Sequence, residues 1–233
     1  MRTLSLGVFL FIASVGMAQE IVVAPMAFRV SGSTYNGFMP SDSAGLFLWL
    51  AADSISGKSE GDTVGLWRNL GSFSTTFSQA TLDEKPTYDA DAINGHPALV
   101  FSTASMFGGT ASGITGATIF IVAKHDNTTD NAYIITAGGN SNAVITGFAD
   151  GTIEWYNNPS RYTIGSSSTS WAIIADTSGN PNTETSGWVI GASESGNSDK
   201  FAGSIAEIII YDHPSTATLR SNVIAYLTGK YRL

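Results

Sequence analysis

The chain contains no cysteine. Disulfides, thiol nucleophiles and cysteine-ligated zinc are excluded together. Charge is scarce as well. Asp, Glu, Lys and Arg make up 13% of the 233 residues, about half the usual share for a soluble domain. Only 11 residues are basic against 19 acidic, for a net charge of −8. Phosphate backbones and anionic lipid both call for clustered Lys and Arg, so neither nucleic acid nor a membrane surface is the expected partner. No apolar run is long enough for a membrane helix, so no span is expected in the mature chain.

What the chain does have is apolar and small polar residues. Hydrophobic types reach 43%, enough for the core of one sandwich or barrel of ordinary size. The first 18 residues carry the pattern of an export leader. Arg2 gives a positive start, Leu4 to Val15 is apolar, and Gly16 and Ala18 are the small residues preceding a cut before Gln19. A retained first strand or assembly arm is the alternative for this segment. An exported chain without cysteine fits a bacterial or viral source better than a eukaryotic one. The expected organisation is a leader over residues 1–18, an arm or extra strand over 19–43, and one domain over 44–233.

Short apolar runs separated by Gly, Asn, Asp and Ser recur along the chain, which is the all-β pattern. Strands are expected at Leu46–Ala51, Val64–Asn69, Ala98–Phe101, Thr118–Ala123, Ala132–Ala137, Ala143–Phe148, Thr152–Tyr156, Trp171–Asp176, Trp188–Ala192 and Ser204–Tyr211. In Thr152–Tyr156 the alternation sends Ile153 and Trp155 to one face, and Thr152, Glu154 and Tyr156 to the other. Asp150-Gly151 reads as a tight hairpin turn. The unbroken runs Ile119–Val122 and Ile208–Ile210 predict strands buried on both faces. One C-terminal helix is expected. Ser215 serves as its N-cap, Leu219, Val223, Tyr226 and Leu227 form its apolar face, and Gly229 stops it.

Four segments in order carry a resemblance. Leu48–Asp53 resembles an opening strand, Val64, Trp67 and Asn69 resemble a V-x-x-W-x-D pattern, and Lys85–Tyr88 with Asn94–Phe101 resembles a P-x-y … N-G-x-p-a-l-x-F segment. Gly203–Asp212 followed by Tyr226–Tyr231 resembles a G-x-I-A-E-I-I-I-Y-D strand and its Y-L-x-x-K-Y ending. Together they resemble the laminin-G-like, concanavalin A-like domains of bacterial and phage proteins, over about residues 44–233. The resemblance implies an all-β fold: a two-sheet antiparallel jelly-roll sandwich with a short C-terminal helix. Asn69 departs from the usual Asp, which weakens any role requiring a charge there. Glu207, flanked by apolar residues, is expected to be buried and structural, gripping backbone amides or a basic partner such as Lys230 or Arg232.

Catalytic signatures are missing. Retaining glycosidases need two carboxylates about 5 Å apart, and no Glu here begins the E-x-D-x-x-E motif of the fold's glucanases. His96, His125 and His213 lie far apart in the sequence and read as loop residues. No H-E-x-x-H, G-x-S-x-G, P-loop or dinucleotide fingerprint occurs. The resemblance raises calcium as a cofactor at the sandwich rim, with Asp126 and Asp130 as candidate ligands. Their run lacks the EF-hand spacing, and a solvated polar loop is the favoured reading of it. The best local cluster for a ligand is Trp155, Tyr156, Asn157, Asn158, Arg161 and Tyr162. Rings stack on a sugar's apolar face while amides and guanidinium bind its hydroxyls. Packing of Trp155 beside Ile153 in the core is the competing reading. Trp49, Trp67, Trp171 and Trp188 read as core.

The expected function is a non-catalytic recognition or adhesion module, secreted or at the cell surface, that binds a glycan or a surface protein. The first alternative is a structural subunit of a virion, fibre or filament, with homo-oligomers joined through the N-terminal arm. The second is a polysaccharide hydrolase or lyase with an unfamiliar carboxylate layout. Fold alone does not choose among them.

Overall fold

The computed structural model describes residues 37–111, 114–127, 132–137, 142–146, 151–157, 160–178, 186–193 and 198–233. The leader, most of the arm, Asp130, Asp150 and Asn158 lie outside the described residues. Fourteen described strands form two antiparallel sheets, and one helix follows them.

The strands are β1 (Leu46–Ala51), β2 (Leu66–Arg68), β3 (Thr76–Ser78), β4 (Thr87–Ile93), β5 (His96–Phe101), β6 (Met106–Ala111) and β7 (Thr118–His125). After them come β8 (Ala132–Ala137), β9 (Asn142–Thr146), β10 (Thr152–Asn157), β11 (Ser160–Ser166), β12 (Ala172–Asp176), β13 (Ser186–Ile190) and β14 (Gly203–Tyr211). The helix is α1 (Ala217–Tyr231). The first sheet runs β12-β7-β14-β5-β4, with β1 also paired to β14. The second runs β11-β10-β9-β8-β13-β6-β3-β2. This is the all-β jelly-roll sandwich with a C-terminal helix that the resemblance implies.

The unbroken apolar strands sit at the centre of the first sheet. β7 and β14 pair along their length, and all nine residues of β14 are buried. Ile205, Ile208 and Ile210 face the second sheet, where they meet Trp67, Phe77, Trp155 and Trp188. Ala206, Ile209 and Tyr211 face the other way and meet α1. A strand sandwiched between a sheet and a helix has no wet face, so alternation disappears from its sequence. A register shift between Ile205 and Glu207 places Ala206 and Glu207 both on the helix side. Gly203 opens the strand against β7. A Cβ there would collide with the Lys124 carbonyl oxygen and the Phe201 ring.

The helix lays Leu219, Val223, Tyr226, Leu227 and Tyr231 on this sheet. Two expectations about its ends need correcting. The N-cap is Thr216, whose Oγ1 accepts from the Leu219 N–H at 3.1 Å, and the Ser215 hydroxyl is buried without a hydrogen bond. Gly229 does not stop the helix, which continues to Tyr231 and closes on Arg232 at φ 56°. The extra residues are held because Glu207 gathers them. It accepts from Tyr231 Oη at 2.7 Å, Lys230 Nζ at 2.9 Å, Tyr226 Oη at 3.0 Å and Trp49 Nε1 at 2.6 Å. Lys230 also pairs with Asp53 at 2.9 Å. Glu207 thus has the structural role and the Lys230 partner expected of it; Arg232 is the left-handed cap.

Asn69 has a role that Asp could not fill. Its Oδ1 accepts from the Trp49 and Gly71 amides at 2.7 and 2.8 Å. Its Nδ2 donates to the Phe47 and Phe73 carbonyls at 3.1 and 2.6 Å. Two of these bonds reach β1 and two shape the segment after β2, which is thereby laid along the edge of β1. Of the arm, Phe38 and Pro40 are buried. Phe38 joins the cluster under α1, and the Pro40 carbonyl accepts from Tyr211 Oη at 2.9 Å.

The histidines also depart from expectation. His213 is in a loop, but His96 begins β5 and His125 ends β7. His125 is buried, with its ring edge-on to Phe201 at 5.2 Å between centroids. Burial pushes its pKa below the ordinary value, against the Ser168 hydrogen bond and Asp126. Its Nε2 has no hydrogen bond.

Candidate functional site

The helix occupies the outer face of the first sheet, so the second sheet carries the other large outer face. Register identifies what lines it. Leu66 pairs with Ser78, Ser78 with Phe107, Phe107 with Val189, and Val189 with Thr136. Thr136 pairs with Ala143, Ala143 with Tyr156, and Tyr156 with Arg161. These eight residues form one row across all eight strands. Residues in register share a face, which sets Leu66, Ser78, Phe107, Val189, Thr136, Tyr156 and Arg161 on one side. Val189 and Thr136 at its centre are buried. Leu66 and Phe107 are exposed near one end, while Arg161 is exposed and Tyr156 half-buried at the other.

A second row lies two residues along β9, β10 and β11, and three along β8, where the register shifts after Tyr133. Tyr133 pairs with Ile145, Ile145 with Glu154, and Glu154 with Thr163. Tyr133, Tyr156, Arg161 and Glu154 therefore converge at the β8 to β11 end of the face. The Arg161 guanidinium lies over the Tyr156 ring, 5.5 Å from its centroid, in a cation–π geometry. Arg161 Nη1 is 3.9 Å from Glu154 Oε2, too far for a hydrogen bond. Glu154 is 9% exposed and its Oε2 has no hydrogen bond, while Oε1 accepts from Thr152 Oγ1 at 3.3 Å. The Tyr133 phenol is pushed above its ordinary pKa, first by burial and then by Asp199 and Tyr156, with Arg161 opposing. It therefore stays protonated and able to donate at neutral pH. Glu154 is the one carboxylate in the described strands of this sheet.

The six residues grouped by sequence do not share a face. Trp155 is 1% exposed and packs in the inter-sheet core beside Ile153. Tyr162, its register partner, packs partly buried against the same core. Tyr156 and Arg161 stand on the opposite face, at its exposed end. Asn157 ends β10 opposite Ser160. Glu154 and Tyr133 complete the open cluster and were missing from the sequence grouping. The alternation in Thr152–Tyr156 already put Glu154 on Tyr156's side. Tyr133 is brought in only by the pairing of β8 with β9.

Of the remaining candidates, Asp126 is exposed in the bend after β7, where its N–H donates to the Ala202 carbonyl. Among the described residues no group of three His, Cys, Asp or Glu is placed to hold a metal. Trp67 and Trp188 are core residues and Trp49 lies under the helix. Trp171 is half-buried just before β12, where Nε1 donates to the Ala92 carbonyl and Lys124 sits 5.5 Å from the ring centroid. No described helix is long and apolar enough to cross a membrane.

No family model matches the chain, and no curated protein matches it in sequence. Among solved structures, the chain is similar to domain 4 of the extracellular GH43 arabinanase AbnA from Geobacillus stearothermophilus, in complex with arabinotriose. That match has 12% identity and a TM-score of 0.45, covering 72% of this chain and 99% of the other. It is also similar to the Trypanosoma rangeli sialidase in complex with sialic acid, at 10% identity and a TM-score of 0.44, over 81% of this chain. The match spans 33% of the sialidase's length.

Proposed function

We propose that the protein is a non-catalytic, extracellular recognition module of the laminin-G-like kind. It binds carbohydrate at the exposed β8 to β11 end of the outer face of its eight-stranded sheet. The carrying observation is the Tyr156–Arg161 stack beside the buried carboxylate of Glu154, with Tyr133 in the adjoining row. A ring with a partly exposed face takes the apolar side of a sugar. Guanidinium, phenol and carboxylate take its hydroxyls. A paired-carboxylate hydrolysis needs a second acid close to the first; the described strands of this sheet hold Glu154 alone, and Asp199, outside them, acts on the Tyr133 phenol. The extracellular setting rests on the leader pattern of Met1–Ala18.

Calorimetric titration against a glycan array's positive members tests the reading. Binding that Tyr156→Ala abolishes, at unchanged thermal midpoint, is expected. An array with no positive member overturns it. Running the titration with calcium and with chelator shows whether Asp126 contributes through a metal.

A further inference from the structure

We infer that this face selects uncharged, hydroxyl-rich glycans and discriminates against acidic ones such as uronate- or sialate-bearing chains. The inference rests on the carbohydrate-binding reading above and adds the class of ligand. It follows from how Glu154 and Arg161 are placed. Arg161 is the one cation beside Tyr156 in β10 and β11, and its side chain is 53% exposed. Alone it would draw carboxylates into the site, since guanidinium matches their fork geometry. Glu154 prevents this by position. It lies on the same face, nine-tenths buried, with Oε2 3.9 Å from Nη1. At that separation in a partly desolvated wall its charge offsets most of the attraction Arg161 offers an anion.

The hydrogen-bond inventory points the same way. Glu154 Oε2 is buried without a hydrogen bond, and an ionised carboxylate only accepts. A ligand satisfies it by bringing an O–H. A sugar hydroxyl does so once the half-exposed Arg161 side chain turns aside, and it then accepts from that guanidinium on its other lone pair. An ionised acidic sugar places an acceptor against an acceptor at the same point, and like charges there cost binding. The buried oxygen that lacks a hydrogen bond is thus a discriminating element: it rewards donors and repels anions.

The test measures affinity of the full chain for a neutral oligosaccharide panel and for matched panels carrying uronate or sialate. Neutral members are expected to bind at least about tenfold more tightly than their acidic counterparts. Glu154→Gln should lower that ratio at least tenfold, and Arg161→Gln, at a half-exposed position that tolerates substitution, should raise it. Circular dichroism and a thermal melt check that each variant is folded. Should Glu154→Gln fail to fold, the Arg161→Gln arm decides alone. Acidic members binding as tightly as neutral ones, or ratios unmoved by the folded variants, overturn the inference and leave the carbohydrate-binding reading standing. Absence of binding by every panel overturns that reading itself.

Discussion

Replacing Glu207 tests how the helix is held. In the structure one carboxylate, with a fully buried side chain, is the common acceptor for Trp49, Tyr226, Lys230 and Tyr231. Glu207→Ala removes that acceptor and keeps the donors. Each hydrogen bond to a charged group is worth about 1.5–3 kcal/mol net. The four belong to one network and do not add. Lys230 also keeps Asp53, so the cost falls mainly on the indole and the phenols. Loss of one partner from a buried charged pair costs about 3–5 kcal/mol, and about 4 kcal/mol is the expected loss here. For a domain of this size that lowers the melting midpoint by about 8–16 °C. Glu207→Gln keeps an acceptor and loses the charge, so about half that loss is expected. Urea denaturation followed by tryptophan fluorescence reads both variants, with Trp49 reporting at the site. A loss below about 1 kcal/mol for Glu207→Ala would refute the claim that this network fastens the helix.

Asn69→Asp sets a carboxylate against the Phe47 and Phe73 carbonyls that now accept from Nδ2. A loss of about 2 kcal/mol is expected by urea denaturation, and an unchanged midpoint would show that the amide is incidental. Trp155→Phe should preserve glycan affinity at small cost in stability, because the ring is core and its Nε1 has no hydrogen bond. Loss of affinity without loss of stability would put the indole in the site. Asp176 is buried with Oδ2 unpaired, and burial raises its pKa against the Ser178 hydrogen bonds. A raised folded-state value means its contribution is whole below the ordinary aspartate value of 3.8 and is lost as pH rises through the folded value. Asp176→Asn should therefore stabilise the protein at pH 7, with the gain vanishing below about pH 4. A gain independent of pH would reject the charge as its cause.

Much of this architecture is legible in the residues, and the failures have physical causes. β1 and β8 begin and end where their apolar runs do. The continuous runs of β7 and β14 announce strands covered on both sides. β4, β6 and β11 escape notice because their faces are wet or glycine-rich: TYDADAI, MFGGTA and SRYTIGS hold too few apolar residues to show a period. β3 is three residues held by its neighbours. The helix outruns Gly229 because Lys230 and Tyr231 reach a carboxylate that lies 23 or 24 positions earlier, which no local rule records.

The candidate site shows the same limit. Proximity in sequence grouped Trp155 with Tyr156 and Tyr162 with Arg161, while a strand's period of two sends each pair apart. Glu154 carried the correct parity. Its place beside Arg161 emerges only when β10 and β11 are in register. Tyr133 comes from two strands away, across β9.

Hydrogen-exchange mapping with and without a bound glycan tests the central claim most directly. Added protection is expected across residues 152–157 and 160–166, with α1 and the first sheet unchanged. Protection concentrated on residues 217–231, or on none of the second sheet's strands, would contradict it.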